Sequence, residues 1–107
     1  MINELSKLQC GKAGRSSSWD TSGKNQDAWG IQPGETKVLA DIRGPGAITH
    51  IWMTQRNHYR ECLLKFTWDG ADFPSVVCPL GDFFGLGHGI VNSYQSLLFS
   101  ASTNGNN

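Results

Sequence analysis

The sequence predicts an all-β protein whose antiparallel strands form a sandwich or a barrel. Glycine accounts for 13 of the 107 residues, and because glycine is costly inside helices, this content favours turns. Five segments are rich in β-branched and aromatic residues or alternate between polar and apolar positions. No helical pattern of about ten residues separates any two of them, which argues against a parallel α/β sheet.

Length and charge narrow the class of protein further. A chain of 107 residues is sufficient for one domain with a single core. Nine basic residues balance nine acidic ones, so the formal net charge is zero. This balance argues against nucleic acid or an anionic membrane as a partner held by general electrostatics. No apolar stretch approaches the ~18 residues that a membrane helix needs.

The cysteines bear on metal binding, disulfides and location. Cys10, Cys62 and Cys78 are an odd number and lack C-x-x-C spacing, which predicts free thiols rather than a zinc site or a disulfide framework. A single bridge between Cys62 and Cys78, on predicted neighbouring strands, stays open. Free buried thiols are typical of reducing compartments. The N-terminus shows no signal-peptide pattern, so the odd thiols favour a cytoplasmic location.

The N-terminal third predicts one short helix followed by a long loop. Apolar residues recur at helical spacing over residues 3–9, and Gly11 suits the end of a helix. Residues 11–34 are dominated by Gly, Ser, Asn, Asp and Lys, as loops are. Long loops in compact domains are usually functional or disordered. Because Trp19 and Trp29 lie within it and disordered segments are poor in aromatics, we expect an ordered, functional loop.

The rest of the chain predicts the strands. They are Glu35–Arg43, Ala47–Gln55, Glu61–Trp68, Phe73–Leu80 and Ser96–Ala101. Asp69-Gly70 predicts a two-residue hairpin, because glycine supplies the positive φ that such turns demand. Pro74 and Pro79 confine the returning strand to an edge or to its own ends. Both faces of the second strand are apolar, which indicates burial on both sides and a larger unit or a partner chain.

Two polar clusters are candidates for chemistry. Trp19, Asp20 and Asn25 place an aromatic ring beside carboxylate and amide groups, which suits carbohydrate. A polar loop pinned by one buried tryptophan would explain the same residues. The second cluster is the bend Gly81–Gly89. Its glycine spacing does not match a dinucleotide fingerprint, and we interpret it as the rim of a pocket.

The bend supplies three further candidates. Asp82 is its best polar member, although it could instead accept hydrogen bonds from the backbone of the turn. Phe84 and His88 accompany it between glycines. His50 is expected to be buried and hydrogen-bonded, and His58 to be exposed in a hairpin loop. No spacing satisfies a metal site or a serine nucleophile elbow, and no cofactor is indicated.

A family resemblance is carried by three segments in this order: SSSWDTSGKNQD, PGETKVLADIRGPGAITHIWMT and FTWDGADFPSVVCPLGDFFGLGHG. They resemble the start of domain-of-unknown-function family 2961, also classed as glycoside hydrolase family 172, over about residues 15–100. The resemblance implies longer proteins with two β jelly rolls per subunit, assembled into trimers or hexamers. It also implies retaining, exo-acting enzymes on fructofuranose or arabinofuranose linkages.

On this resemblance, residues 1–107 would be one antiparallel jelly-roll-like sandwich, the first of two, in an N-terminal fragment of a longer protein. The family's catalytic glutamate pair would lie beyond residue 107, so no catalytic residue is expected here and the chain alone would be inactive. Glu35 and Glu61 are expected to face solvent. Thr21 stands where many members carry arginine, so the resemblance does not fix which sugar is the substrate.

The residues that the resemblance places at the border of a sugar pocket are Trp19, Asp20, Asn25, Asp82, Phe84 and His88. The expected partners are an oligosaccharide or glycoside substrate and further copies of the chain. The alternatives are a non-catalytic carbohydrate-binding or capsid-like assembly module, and a truncated product that folds poorly.

Overall fold

The computed structural model describes residues 7–8, 10–56 and 58–102. The chain divides into two compact units, Met1–Gly46 and Ala47–Asn107. The predicted helix over residues 3–9 lies almost entirely outside the described residues. Within the described part of the chain, no helix is long and apolar enough to cross a membrane.

The described part of the first unit consists of turns and extended segments, without a helix or a paired strand. The prediction of a strand over Glu35–Arg43 is therefore wrong. Its residues are exposed apart from half-buried Leu39. A strand needs a neighbour that accepts and donates its backbone hydrogen bonds. Here the Leu39 carbonyl instead accepts a hydrogen bond from the Ser16 hydroxyl.

The second unit begins with another segment that forms no ladder. Ala47–Gln55 was expected to be a strand buried on both faces, and this prediction is wrong. Ile51 and Met53 are half-buried, but His50 is exposed, contrary to its predicted burial, and Trp52 is 67% exposed. The alternation of a strand is present. Trp52 on the other face is left largely uncovered by the described residues.

An antiparallel hairpin forms the centre of the second unit. Strand β1 is Leu63–Phe66 and strand β2 is Val76–Pro79, both inside predicted strands. Leu64 lies opposite Cys78 in the register. Leu64 is buried while its neighbours in β1 on both sides are exposed, as period-two alternation predicts. The described cysteines are all free.

The hairpin contains the predicted Asp69-Gly70 turn and, after it, a bulge that was not predicted. Asp69 and Gly70 have φ values of 54° and 68°, and the Ala71 N–H donates to the Trp68 carbonyl at 3.0 Å. These are the features of the primed turn that the dipeptide predicts. The β1–β2 register, however, would place Trp68 opposite Pro74 rather than Ala71. Residues 72–74 therefore bulge out of the returning strand, where proline has no N–H for the ladder.

Helix α1, Leu80–Phe83, follows β2 without a loop. Its first backbone donors have no partner within the helix, and no side chain caps it. The Leu80 N–H donates to the Cys62 carbonyl at 2.8 Å, and the Gly81 N–H donates to the Tyr59 carbonyl at 2.9 Å. The turn that precedes β1 thus acts as the N-terminal cap of α1.

The C-terminal end of α1 is a Schellman motif. The Leu86 N–H donates to the Gly81 carbonyl at 2.8 Å and the Gly85 N–H to the Asp82 carbonyl at 3.0 Å. Gly85 has a φ of 83°, which suits a residue without a Cβ. The motif buries Leu86, which forms the core of the described residues together with Leu64 and Leu80. A short 3-10 helix, Gly87–Gly89, follows.

A second small sheet completes the described chain. Strand β3, Tyr94–Gln95, pairs antiparallel with strand β4, Ser100–Ala101. The predicted strand Ser96–Ala101 is correct only at its last two residues. Ser96 closes a turn by donating its backbone N–H to the Phe99 carbonyl at 2.7 Å and accepting the Phe99 N–H on its hydroxyl at 3.0 Å. This bond lies in register with the β3–β4 pairing, so the chain reverses at residues 97–98 and the first residues of the predicted strand form the turn of the hairpin.

The described residues are thus mostly non-helical, with two small antiparallel sheets. This architecture is compatible with the predicted all-β class. The jelly-roll-like sandwich stays a prediction.

Replacing Gly81 with alanine should destabilise the chain. A Cβ at this position would lie 2.7 Å from the Tyr59 Cβ and 3.2 Å from the Tyr59 Cα. Helix propensity alone would favour alanine by about 1 kcal/mol. We nevertheless expect a net loss of about 1–3 kcal/mol from overpacking, measured by urea unfolding.

Gly87→Ala is the matched control, because no atom lies within 4 Å of a Cβ at Gly87. Equal stability of the two variants would contradict the close packing of α1 on Tyr59.

Candidate functional site

An open concavity lies within the first unit, formed by residues 18–29, which we name the tryptophan loop. Its volume is about 460 Å³. The lining combines two indole rings with hydroxyl, carboxylate, amide and ammonium groups, from Ser18, Trp19, Asp20, Thr21, Ser22, Lys24, Gln26, Ala28 and Trp29. Of the predicted site residues, Trp19 and Asp20 line this concavity.

The carboxylate of Asp20 is engaged by its own loop. Its Oδ1 accepts hydrogen bonds from the Ser22 N–H at 2.8 Å and from the Ser22 hydroxyl at 2.6 Å. Its Oδ2 accepts the Gln26 N–H at 3.1 Å. These bonds favour the charged form. The Ser22 hydroxyl contributes most, followed by the Gln26 N–H, and together they lower the pKa of Asp20 below its ordinary value of 3.8.

Asp27 closes the loop from the other side. Its Oδ1 accepts the backbone N–H of Asp20 at 2.7 Å, and its carbonyl accepts the Ser18 hydroxyl at 2.9 Å. The residues before and after Trp19 are therefore both bonded to Asp27. Asp27 was not among the predicted site residues, because its pairing with Asp20 depends on how the loop turns.

The two tryptophans present accessible rings. Trp19 is 59% exposed and Trp29 is 38% exposed, which differs from the single buried tryptophan of the alternative interpretation. The Lys37 Nζ lies 5.6 Å from the centroid of the Trp29 ring, within the range of a cation–π contact. Trp29 is thus held in part by Lys37, whereas Trp19 depends on the backbone of its loop.

Asn25 lies in the same loop but not in the lining of the concavity. It has a φ of 66°, a left-handed conformation that asparagine tolerates better than most residues. Its neighbours Lys24 and Gln26 are the residues that line the concavity. The structure therefore gives Asn25 a role in turning the loop.

The remaining predicted residues lie in the second unit, in the bend Gly81–Gly89. Asp82 forms an ion pair with Arg60, whose Nη1 donates to both carboxylate oxygens at 2.7 and 2.5 Å. The two residues are 22 positions apart, and no sequence pattern marked Arg60. Any ligand at Asp82 would also meet a guanidinium group.

Phe84 and His88 differ in how they are held. Phe84 contacts Phe83 edge to face, with the ring centroids 5.1 Å apart, and Phe83 in turn lies 5.3 Å from Phe66. Phe84 therefore ends a row of aromatic rings. His88 is exposed and has a φ of 59°. The predicted residues thus form two groups, one in each unit.

The glutamates expected to face solvent do so. The Glu35 carboxylate accepts the Gln32 N–H at 2.8 Å and closes a turn. The Glu61 Oε2 lies 3.2 Å from the His58 Nδ1, and both side chains are largely exposed. The exposure predicted for His58 is therefore confirmed. Among the described residues, no group of three or more His, Cys, Asp or Glu could hold a metal ion.

Comparison with known proteins identifies the family. A family model described as GH172 domain-like matches residues 21–107. Because this match covers most of the chain, the chain belongs to the GH172 domain-like family, and the resemblance stated from the motifs is confirmed. Searches of curated proteins and of solved structures returned no match. Trp19 and Asp20 lie just before the matched range.

The conformation of the tryptophan loop should depend on pH. The pKa of Asp20 is lowered in the folded loop, relative to its ordinary value of 3.8. The charged carboxylate therefore stabilises the folded loop above pH 3.8, and this stabilisation is lost as the pH falls through the pKa of the folded state. In fluorotryptophan-labelled chain, we expect the Trp19 fluorine NMR signal, assigned with Trp19→Phe, to stay constant from about pH 7 to 5. It should shift in the acid range below that.

Asp20→Asn is the control for this titration. The variant lacks the titrating carboxylate, so the acid shift of the Trp19 signal should be absent or reduced. An identical shift in the variant would show that another group controls the loop.

Proposed function

We propose that this chain supplies a carbohydrate-binding wall of a glycoside hydrolase that acts on fructofuranose or arabinofuranose linkages. Membership of the GH172 domain-like family carries the proposal. The tryptophan loop supports it, because it offers exposed rings beside polar groups in one concavity. Further copies of the chain, in a trimer or hexamer, are part of the same proposal.

The chemistry of the concavity suits a sugar. Sugars present apolar C–H faces, which pack on the faces of aromatic rings, and hydroxyl groups that both donate and accept hydrogen bonds. Trp19 offers the ring. The Lys24 ammonium and the Gln26 amide line the same concavity and can donate hydrogen bonds to sugar oxygens. Asp20, whose oxygens are already bonded within the loop, contributes mainly by shaping it.

The catalytic groups are proposed to come from outside this chain. Retaining hydrolysis needs a nucleophile and an acid/base carboxyl group about 5–5.5 Å apart. Glu35 closes a turn with Gln32 and Glu61 contacts His58. Asp82 is paired with Arg60. Because each of these carboxylates already has a local partner, we expect the chain alone to bind a furanoside without hydrolysing it.

A non-catalytic carbohydrate-binding or assembly module is the second candidate. The same engaged carboxylates favour it, because such a module needs a concavity but no acid pair. The two candidates differ in whether a longer or assembled protein that contains this chain hydrolyses the sugar bound at the tryptophan loop.

The first test is hydrolysis of aryl fructofuranosides and arabinofuranosides by the 107-residue chain. We expect no turnover above background. Trp19→Ala, purified in parallel, shows whether any turnover belongs to the chain, because a contaminant would be unaffected by the substitution. Turnover that falls in Trp19→Ala would contradict the proposed origin of the catalytic groups.

The second test measures the binding of an arabinofuranose or fructofuranose oligosaccharide by calorimetric titration. Trp19→Ala should weaken binding about tenfold, because an aromatic contact contributes about 0.5–1.5 kcal/mol beyond the area it buries. Trp52→Ala is the matched control, because Trp52 is also exposed but lies in the second unit. Equal effects of the two substitutions would contradict the assignment of the site to the tryptophan loop.

A further inference from the structure

We propose that Asp27 is the positioning residue of the concavity, fixing the backbone on both sides of Trp19 without lining the concavity itself. This inference rests on the proposed carbohydrate-binding function. Asp27 is absent from the residues that surround the concavity. Its influence on a ligand would therefore pass through Trp19 and Asp20.

Two hydrogen bonds to Asp27 flank Trp19 in the chain. Ser18 donates its hydroxyl to the Asp27 carbonyl at 2.9 Å, and Asp20 donates its backbone N–H to the Asp27 Oδ1 at 2.7 Å. Trp19 lies between these two anchored residues. One residue thus fixes the chain before and after the ring that is proposed to contact the sugar.

The Trp19 ring is exposed. Trp19 is 59% exposed, so side-chain packing holds it weakly. The orientation of its Cα–Cβ bond follows the local backbone, and the bonds to Asp27 set that backbone. Trp29 differs, because Lys37 contacts its ring directly. We therefore expect Trp19 to respond to changes at Asp27 more strongly than Trp29 does.

The hydrogen bonds to Asp27 are linked, through Asp20, to the rest of the lining. Asp20 accepts hydrogen bonds from the Ser22 and Gln26 backbones, and Gln26 precedes Asp27 in the chain. The two ends of the loop are thereby joined at residues 18–20 and 26–27. Loss of the Asp27 carboxylate would free the Asp20 N–H and loosen both the ring and the polar side of the concavity.

The test compares three substitutions in fluorotryptophan-labelled chain. Asp27→Ala removes the acceptor, whereas Asp27→Asn retains a side-chain oxygen for the Asp20 N–H. Asp41→Ala is the control, because Asp41 is an exposed aspartate of the same unit with no hydrogen bond among the described residues. The measurements are the Trp19 fluorine signal, assigned with Trp19→Phe, and calorimetric titration with an arabinofuranose oligosaccharide.

Asp27→Ala should shift the Trp19 signal and weaken sugar binding about tenfold, the effect of losing a hydrogen bond to a charged group. Asp27→Asn should restore most of both properties, and Asp41→Ala should change neither. A residue that only stabilises the fold would lower the unfolding temperature but leave the affinity of the folded chain and the Trp19 signal unchanged. That result would overturn the proposal.

One further variant and a double-mutant cycle test whether Asp27 acts on the ligand through Trp19 and Asp20. Ser18→Ala removes the other anchor, which is formed with the main-chain carbonyl of Asp27, so it should move the Trp19 signal in the same way. An unmoved signal in Ser18→Ala would contradict the proposal that both bonds fix the ring, even if Asp27→Ala does not fold. In a double-mutant cycle, Asp20→Ala and Asp27→Ala should weaken binding less than the sum of their separate effects. Fully additive effects would contradict a shared path through the loop.

The outcome also distinguishes this inference from the function on which it rests. If the unsubstituted chain binds no furanose oligosaccharide, the proposed function is overturned, while the Trp19 signal still reports whether Asp27 positions the ring. If the chain binds the sugar and Asp27→Ala binds it equally well, the proposed function stands and the positioning role is overturned.

Discussion

The second unit depends on the hydrogen bonds that cap the start of α1. Because the Cys62 and Tyr59 carbonyls accept the Leu80 and Gly81 N–H groups, the chain can pass from β2 into a helix without a loop. The same contact leaves no room for a side chain at position 81. It brings the turn that precedes β1 against α1, so that Arg60 meets Asp82. It also places α1 so that its Leu80 can join Leu64 of the hairpin in the core.

Carboxylates serve the local structure in both units. In the first unit, Asp20 and Asp27 bind backbone N–H groups and thereby join the ends of a loop that has neither helix nor strand. In the second, Asp82 binds a guanidinium group. Because such partners favour the charged form, a carboxylate that they hold is a poor proton donor. This is why the proposed contribution of the chain is recognition and shape, and why the reacting groups are sought elsewhere.

Local features could be predicted from the sequence, and features that depend on distant partners could not. The Asp69-Gly70 turn and the central residues of both hairpin strands follow from turn chemistry and alternation. The strands expected over residues 35–43 and 47–55 did not form, because alternation does not supply a neighbouring strand. At the candidate site, Trp19 and Asp20 were identified from composition and resemblance. The pairing of Arg60 with Asp82 needed the fold, and so did the position of Asn25 away from the lining.

The bulge in the returning strand of the hairpin has a consequence for self-association. A two-stranded sheet has two open edges, and each can act as a template for an additional strand. On the β2 side, the bulge at residues 72–74 interrupts the regular register, and Pro74 and Pro79 remove backbone donors. The β1 edge contains no proline. The two edges therefore differ: β1 carries a backbone donor at every residue, whereas the row of donors along the returning strand is broken.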